Sequence, residues 1–239
     1  MTPNDPAPLK EELKFFTAQD ADPSQIAGER LAVLGYGNLG RAMALNLRDS
    51  LDRPPQGGDP SRLVVGNVED DYARQAREEG FTVWPIARAV AASDLILILL
   101  PDEVIPEAFE AEVVPNLKPG SAIFFASGYT LAYGLARPPE GIDVLLLAPR
   151  MGGEHARERF LSGQGYLAYV SVEQDASGRA WDRLLAIAHA AGVLSAGALA
   201  LDARREADLD LLVEQTVGAV IGTAIMATFT LGIEAGIPP

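Results

Sequence analysis

The sequence predicts an α/β fold built on a doubly wound, mostly parallel sheet and followed by one long apolar helix. Three observations carry this expectation. Apolar runs alternate with amphipathic ones along most of the chain, and such alternation implies parallel strands joined by right-handed crossovers. Several apolar runs are continuous and β-branched or Leu-rich, the pattern of strands buried on both faces. The first run leads directly into "GYGNLG", a glycine pattern at the mouth of the first helix.

The elements follow in order. Residues 1–14 read as a flexible, polar, Pro-containing lead-in. Strands are expected at 30–35 ("RLAVLG"), 62–66 ("RLVVG"), 81–84 ("FTVW"), 94–100 ("DLILILL"), 121–126 ("SAIFFA"), 143–148 ("DVLLLA"), 165–172 ("GYLAYVSV") and 193–201 ("VLSAGALAL"). Helices are expected between them, at 38–49, 70–79, 86–92, 103–114, 154–162 and 176–190, with a long one from about 205. The stretch 49–61, "DSLDRPPQGGDPS", is rich in Pro, Gly and Asp and reads as a surface loop. Residues 15–203 are assigned to a dinucleotide-binding domain and 204–239 to a C-terminal helical segment.

Composition narrows the function classes. A hydrophobic content of 48% with 22% charged residues indicates a folded globular protein. A net charge of −14 argues against a nucleic-acid partner, which would require a basic surface. The absence of cysteine excludes disulfides, zinc–thiolate sites and Cys nucleophiles, and it fits a cytoplasmic location. The N-terminus lacks an apolar core of signal-peptide length. Residues 216–233, "TVGAVIGTAIMATFTLGI", carry no charge over 18 positions, the lower limit for a membrane span. With four Thr, three Gly and no basic cluster after it, the segment reads instead as a helix buried by other protein.

The glycine pattern points to a nicotinamide cofactor. Gly35 permits a tight turn, Gly37 lets a pyrophosphate approach the backbone, and Gly40 lets the helix pack closely on the strand. The phosphates then meet the free N–H groups at the start of the helix near Asn38. Strand before and helix after give the motif its Rossmann-type context. After the second strand stand Asn67, Glu69, Asp70 and Asp71, with no base before Arg74. An acid there accepts from the ribose 2′-OH of NAD, whereas a 2′-phosphate would be repelled, so NADH is favoured over NADPH. The same acids also suit the N-terminus of the next helix.

Seven stretches carry a wider likeness: "QDADPSQIAG", "GYGNLGRAMALNLRDS", "ILLPDEV", "VVPNLKPGSAIFFASGYTLAYG", "LLLAPR", "QDASGRAWDRLLAIA" and "DLDLLVEQ". In these the chain, from about Phe15 onward, resembles ketol-acid reductoisomerase, the enzyme of branched-chain amino-acid synthesis. The resemblance implies NAD(P)H, two Mg2+ ions, an alkyl shift in a hydroxy-keto acid, and reduction of the resulting ketone by hydride. It implies cofactor contacts at Gly35, Gly37, Asn38, Leu39, Gly40, Asn67, Leu100, Pro101, Asp102 and Gly128. Asp210, Glu214 and Gln215 match the family's D-x-x-x-E-Q pattern, which places Asp210 and Glu214 as Mg2+ ligands. Their four-residue spacing stacks the two carboxylates on one helix face, where like charges need a metal or another cationic partner.

The chain departs from the family pattern in three places. Ser127 stands where the family has a catalytic His, and serine does not titrate near neutrality. Arg150 stands where the family has an active-site Lys, and a guanidinium clamps a carboxylate without exchanging protons. The family's second pair of metal-ligating Glu residues lies beyond the last residue of this sequence, Pro239. These departures bear most on the alkyl shift. Hydride transfer to a small 2-keto or 2-hydroxy acid needs only cofactor, a polarising cation, and Ser127 and Arg150 at the chemical centre. The competing readings are a nucleotide-binding or interaction module without turnover, and the N-terminal portion of a longer reductoisomerase. The long helix is expected to pack on one flank against the dinucleotide domain and on another against its mate, giving a homodimer through residues 206–236.

Overall fold

The structure, a computed structural model, describes residues 13–51 and 62–238. Most of the expected lead-in (1–12) and of the expected loop (52–61) lie outside the described residues. The strands are β1 (Phe15–Phe16), β2 (Leu31–Leu34), β3 (Leu63–Gly66), β4 (Thr82–Trp84), β5 (Leu95–Ile98), β6 (Ala122–Phe125), β7 (Asp143–Pro149), β8 (Ala168–Gln174) and β9 (Ala198–Ala200). The helices are α1 (Asn38–Leu51), α2 (Asp71–Glu78), α3 (Ile86–Ala92), α4 (Ile105–Ala108), α5 (Tyr129–Ala132), α6 (Gly153–Leu161), α7 (Ala180–Ala190), α8 (Ala203–Leu209) and α9 (Ala219–Glu234). Wider π turns continue α4 through Val113 and join α8 to α9 over Asp210–Gly218.

The strands form one sheet in the order β1-β9-β8-β7-β6-β5-β2-β3-β4. From β7 through β4 every pairing is parallel, as the alternation implies. Beyond that, β8 runs antiparallel to β7, β9 parallel to β8, and β1 antiparallel to β9. Side-chain alternation divides the core into two layers, one on each face of the sheet. Leu31 and Val33 of β2 join Met43 and Leu47 of α1 and Leu184 and Ile187 of α7. Ala32 and Leu34 join Ile86 and Val90 of α3, with Ile105 and Phe109. Burying each such Val, Leu or Ile contributes roughly 1.5–3 kcal/mol.

One charged network lies inside this frame. Asp143, wholly buried at the start of β7, accepts from Arg183 Nη1 at 2.9 Å and from the Ala176 and Ser177 N–H groups at 3.0 and 2.9 Å. Arg183 of α7 also reaches Glu29, just before β2, at 2.6 Å. A carboxylate is tolerated here because each of its oxygens has donors.

The long helix departs from expectation. Its first turns meet the domain: Ala203, Glu206 and Ala207 are buried, Arg204 and Asp208 lie against Tyr133, and Asp210 and Glu214 pair with Arg150. From Leu211 onward it is exposed, and none of its most apolar 18-residue window is covered. The dinucleotide domain therefore does not cover one flank, because the contacts along the helix run no further than the Arg150 pairs with Asp210 and Glu214. The helix Ala203–Glu234 contains an 18-residue window of mean hydropathy 1.8, long and apolar enough to cross a membrane by length and composition.

Candidate functional site

At the sheet centre the chain leaves β2 toward β3 on one side and resumes at β5 on the other. Ligands of open α/β sheets bind where the strand order reverses in this way, beyond the strands' carboxyl ends. The glycine turn stands at this point. Gly35 has φ +89°, and a Cβ there would lie 2.6 Å from the Leu99 carbonyl oxygen. A Cβ on Gly40 would lie 2.2 Å from the Gly35 oxygen. Gly37 faces open space, and a Cβ there would meet nothing within 4 Å. Two of the glycines thus serve the fold, and the middle one leaves room for a ligand. The first turn of α1 carries no acid, so its N–H groups and positive dipole end are free for a phosphate.

The turn opens onto a crevice of about 580 Å3, within the range of cofactor and ligand pockets. Gly35, Gly37, Asn38 and Leu39 line its floor, Asn67 one end, and Leu100, Pro101 and Asp102 the opposite rim. Ile86, Ile105 and Phe125 supply apolar wall. Among the described lining residues there is no Lys, Arg or His, whereas Asp70, Asp102 and Glu112 are acidic.

Around the end of β3, side chains brace the turn. Asn67 Oδ1 accepts from the Tyr36 N–H at 3.1 Å, and its amide donates to Asp70 and to the Val68 carbonyl, each at 2.8 Å. Asp70 caps α2 by accepting from the Ala73 N–H at 2.8 Å. Glu69 pairs with Arg77, and Asp71 with Arg74. The acids therefore do support the helix start, and they also hold both nearby arginines. Behind the turn, Glu79 takes a 2.6 Å hydrogen bond from the Tyr36 hydroxyl and a 2.8 Å ion pair from Arg41.

A second cavity of about 500 Å3 adjoins the crevice and shares Asp102, Ala126 and Ser127 with it. Its wall supplies the partner that the Asp210 and Glu214 spacing requires. Arg150, directly after β7, reaches Glu206 at 2.8 Å and Asp210 at 2.9 Å, and also pairs with Glu214. Its guanidinium lies 5.1 Å from the Tyr169 ring centroid. Glu206 is 2% exposed, and its other oxygen accepts from the Gly128 N–H at 2.7 Å. A Cβ on Gly128 would fall 2.1 Å from the Ala203 carbonyl, so this contact between α5 and α8 requires glycine. Burial pushes the Glu206 carboxyl above its ordinary pKa, against the opposing pull of the Gly128 N–H and Arg150. Partial burial raises Asp102 as well, and the charges of Glu103 and Asp210 add to it.

Carboxylate oxygens suit Mg2+ in kind. Their arrangement here does not fit it, because a fixed guanidinium already holds both Asp210 and Glu214. A divalent ion could take this place only by displacing the guanidinium from those carboxylates, because two cations side by side repel each other. Among the described residues no group of three or more His, Cys, Asp or Glu side chains is arranged to hold a metal ion. Arg150 likewise has both terminal nitrogens engaged by the chain's own carboxylates, so the expected clamp for a substrate acid is closed.

A family model described as acetohydroxy acid isomeroreductase, NADPH-binding domain, matches residues 25–197. The chain belongs to the ketol-acid reductoisomerase family. A ketol-acid reductoisomerase (NADP(+)) from Caldivirga maquilingensis is 41% identical over 204 residues, covering 85% of this chain and 60% of the relative. One from Kineococcus radiotolerans is 39% identical over 228 residues, covering 95% of this chain and 64% of the relative. A solved NADH-preferring ketol-acid reductoisomerase from an uncultured archean superposes with a TM-score of 0.85 at 34% identity, over 95% of this chain and 68% of that one. The chain thus spans about 60% of the length of the first of these relatives.

Within this reductoisomerase frame, most of the expected cofactor residues gather at the crevice, with three differences in role: Gly40 does not line it but packs α1 on the Gly35 turn. Asn67 is a brace whose side chain is occupied by protein groups, and Gly128 does not line the crevice but closes the α5–α8 contact. Ser127 lines both cavities, and its hydroxyl accepts from the Tyr129 N–H at 3.2 Å. Sequence reading missed Glu206 and Gly153. Glu206 was signalled by its position four residues before Asp210, which makes an acidic i, i+4, i+8 row with Glu214. Gly153 starts α6 directly against Asn38, where a Cβ would lie 2.1 Å from the Asn38 carbonyl oxygen. No local pattern signals that contact.

Proposed function

We propose that this reductoisomerase-family chain binds a reduced nicotinamide cofactor across the glycine crevice and delivers hydride to the ketone carbon of a small 2-keto acid beside Ser127, which with a proton from solvent gives the 2-hydroxy acid. One observation carries the reading: a glycine turn with an open Gly37 faces a ligand-sized crevice at the point where the strand order reverses. NADH is taken at least as well as NADPH. The support is the acidic end of β3, where Arg74 and Arg77 are paired with Asp71 and Glu69, and the lack of a cation among the described lining residues. The cofactor would supply hydride. Gly35 to Gly40 would seat its pyrophosphate, and Asp102 and Ser127 would flank the reacting carbon.

Alkyl migration is the weaker half of the family chemistry in this chain. Ser127 offers no titrating imidazole, and Arg150 rather than a metal faces Asp210 and Glu214. A cofactor-binding module without turnover is the second reading, favoured by the engagement of Arg150 with three carboxylates. Spectrophotometric NADH oxidation with a panel of 2-keto acids, 2-acetolactate included, separates the two. Turnover on simple keto acids with little on 2-acetolactate supports the first reading. Cofactor binding without oxidation of any panel member supports the second.

We further infer a homodimer through residues 206–236. Val220, Ile225 and Phe229 are 67%, 63% and 51% exposed on a helix that the domain leaves bare, and Gly218 and Gly222 offer a small-residue ridge for close helix approach. A second copy would cover this surface across a two-fold axis.

A further inference from the structure

We propose that the Arg150 guanidinium is the resident cation of the second cavity: it occupies the place between Glu206, Asp210 and Glu214 that a divalent ion would otherwise take. The inference goes beyond cofactor binding and does not depend on it.

The carboxylates come from one strip of backbone. Glu206 lies on α8, and Asp210 and Glu214 follow at four-residue intervals into the π turn Asp210–Gly218. That strip presents hard oxygen donors along one side of the cavity. The first residue after β7 faces all three. Arg150 contacts Glu206 through Nη1 and both Asp210 and Glu214 through Nη2. The Glu206 side of this arrangement is buried, while Glu214 is 55% exposed. The Arg150 side chain is 18% exposed, Glu206 is 2% exposed and anchored by the Gly128 N–H, and Tyr169 lies beside the guanidinium. A guanidinium keeps its charge at any working pH and presents forked donors to several carboxylates at once. It therefore does by itself the neutralising that the acidic strip requires, and its charge repels a metal ion from the same place. Reactions in this cavity then proceed beside a permanent monocation.

Charge removal should convert the strip into a metal site. Once Arg150 is gone, Glu206, Asp210 and Glu214 lose their shared counter-charge and are free to close around Mg2+ or Mn2+, for which carboxylates are the fitting donors. The test is Mn2+ binding followed by electron paramagnetic resonance, with no cofactor or substrate present. The unaltered chain, Arg150→Met, Asp210→Asn and the double variant Arg150→Met/Asp210→Asn are compared, so that diffuse binding to an acidic protein is subtracted. The expectation is that Asp210→Asn changes nothing in the unaltered background. Arg150→Met should gain one site at least about tenfold tighter than any in the unaltered chain, and the double variant should lose it. Mn2+ held by the unaltered chain and released by Asp210→Asn would overturn the proposal. A folded Arg150→Met that gains no site would overturn it equally. If Arg150→Met does not fold, Arg150→Gln replaces it, and the comparison of the unaltered chain with Asp210→Asn still decides on its own.

Discussion

Gly37 and Gly40 sit three residues apart, yet the structure gives them opposite duties, and substitution separates them. Gly40→Ala would drive a methyl into the Gly35 carbonyl and push α1 off β2. It should cost about 1–3 kcal/mol in urea unfolding and weaken cofactor binding as well. Gly37→Ala meets open space in the free protein, so its unfolding midpoint should stay near that of the unaltered chain while nicotinamide affinity falls. Equal loss of stability in both variants would contradict this division. Glu79 provides a pH signature. Burial alone would raise its pKa, but hydrogen bonds from Arg41, Tyr36 and Gln75 outweigh burial and hold it below the ordinary 4.5. A carboxyl lowered on folding contributes stability that is present above the unfolded pKa and lost as pH falls through the folded one. Glu79→Gln should therefore cost about 1–3 kcal/mol at pH 7 and progressively less as pH drops below about 4.5. A loss that is constant with pH would remove the ionised Glu79 from the account. At this scale the sequence showed which residues share a face but not what they face. The spacing of Asp210 and Glu214 demanded a cation. Arg150 lies 60 or more positions earlier in the chain, and only the sheet brings it there.

Elements were legible where their signal was local. Runs such as "LILI" and "AIFF" are buried strands, and the helices between them follow from polar punctuation. Where geometry depends on the tertiary frame, the reading fell short. Strand 193–201 shrinks to β9 because Val193–Ser195 forms a 3-10 turn between Gly192 at φ +89° and Gly197 at φ +110°. The two-residue β1 is too short to signal itself and exists because β9 offers an edge. The π turn Asp210–Gly218 replaces the uniform α-helical wheel expected there, and such turns cluster at functional sites. Also invisible beforehand was the tie between β7 and α7 through Asp143 and Arg183. Asp143→Ala would leave Arg183 buried with one of its carboxylates gone and the Ala176 and Ser177 N–H groups without that acceptor. Thermal and urea unfolding should register a loss of about 3–5 kcal/mol. A change under about 1 kcal/mol would show that the network is not a structural tie.

On the scale of the whole molecule, two features dominate: a sheet whose centre opens a cofactor-sized crevice, and a helix that leaves the domain uncovered. The crevice was foreseen because a glycine motif between strand and helix has few other uses. The bare helix was foreseen only in its polarity, since hydropathy cannot say what lies beside it. Light scattering of the purified 239-residue chain should give a dimer mass, and Ile225→Glu should shift it toward monomer. A soluble unaltered monomer at micromolar concentration would refute the helix-mediated dimer, and a need for detergent would point to a membrane instead. The central claim, however, is that the crevice beyond Gly35–Gly40 holds a nicotinamide cofactor. Its most direct test is calorimetric titration of the unaltered chain and of Gly37→Ala with NADH and with NADPH. Saturable, one-to-one binding of NADH to the unaltered chain, at least as tight as that of NADPH, is expected, with clear weakening in Gly37→Ala. Absence of binding heat for both cofactors, or affinity indifferent to Gly37→Ala, would contradict it.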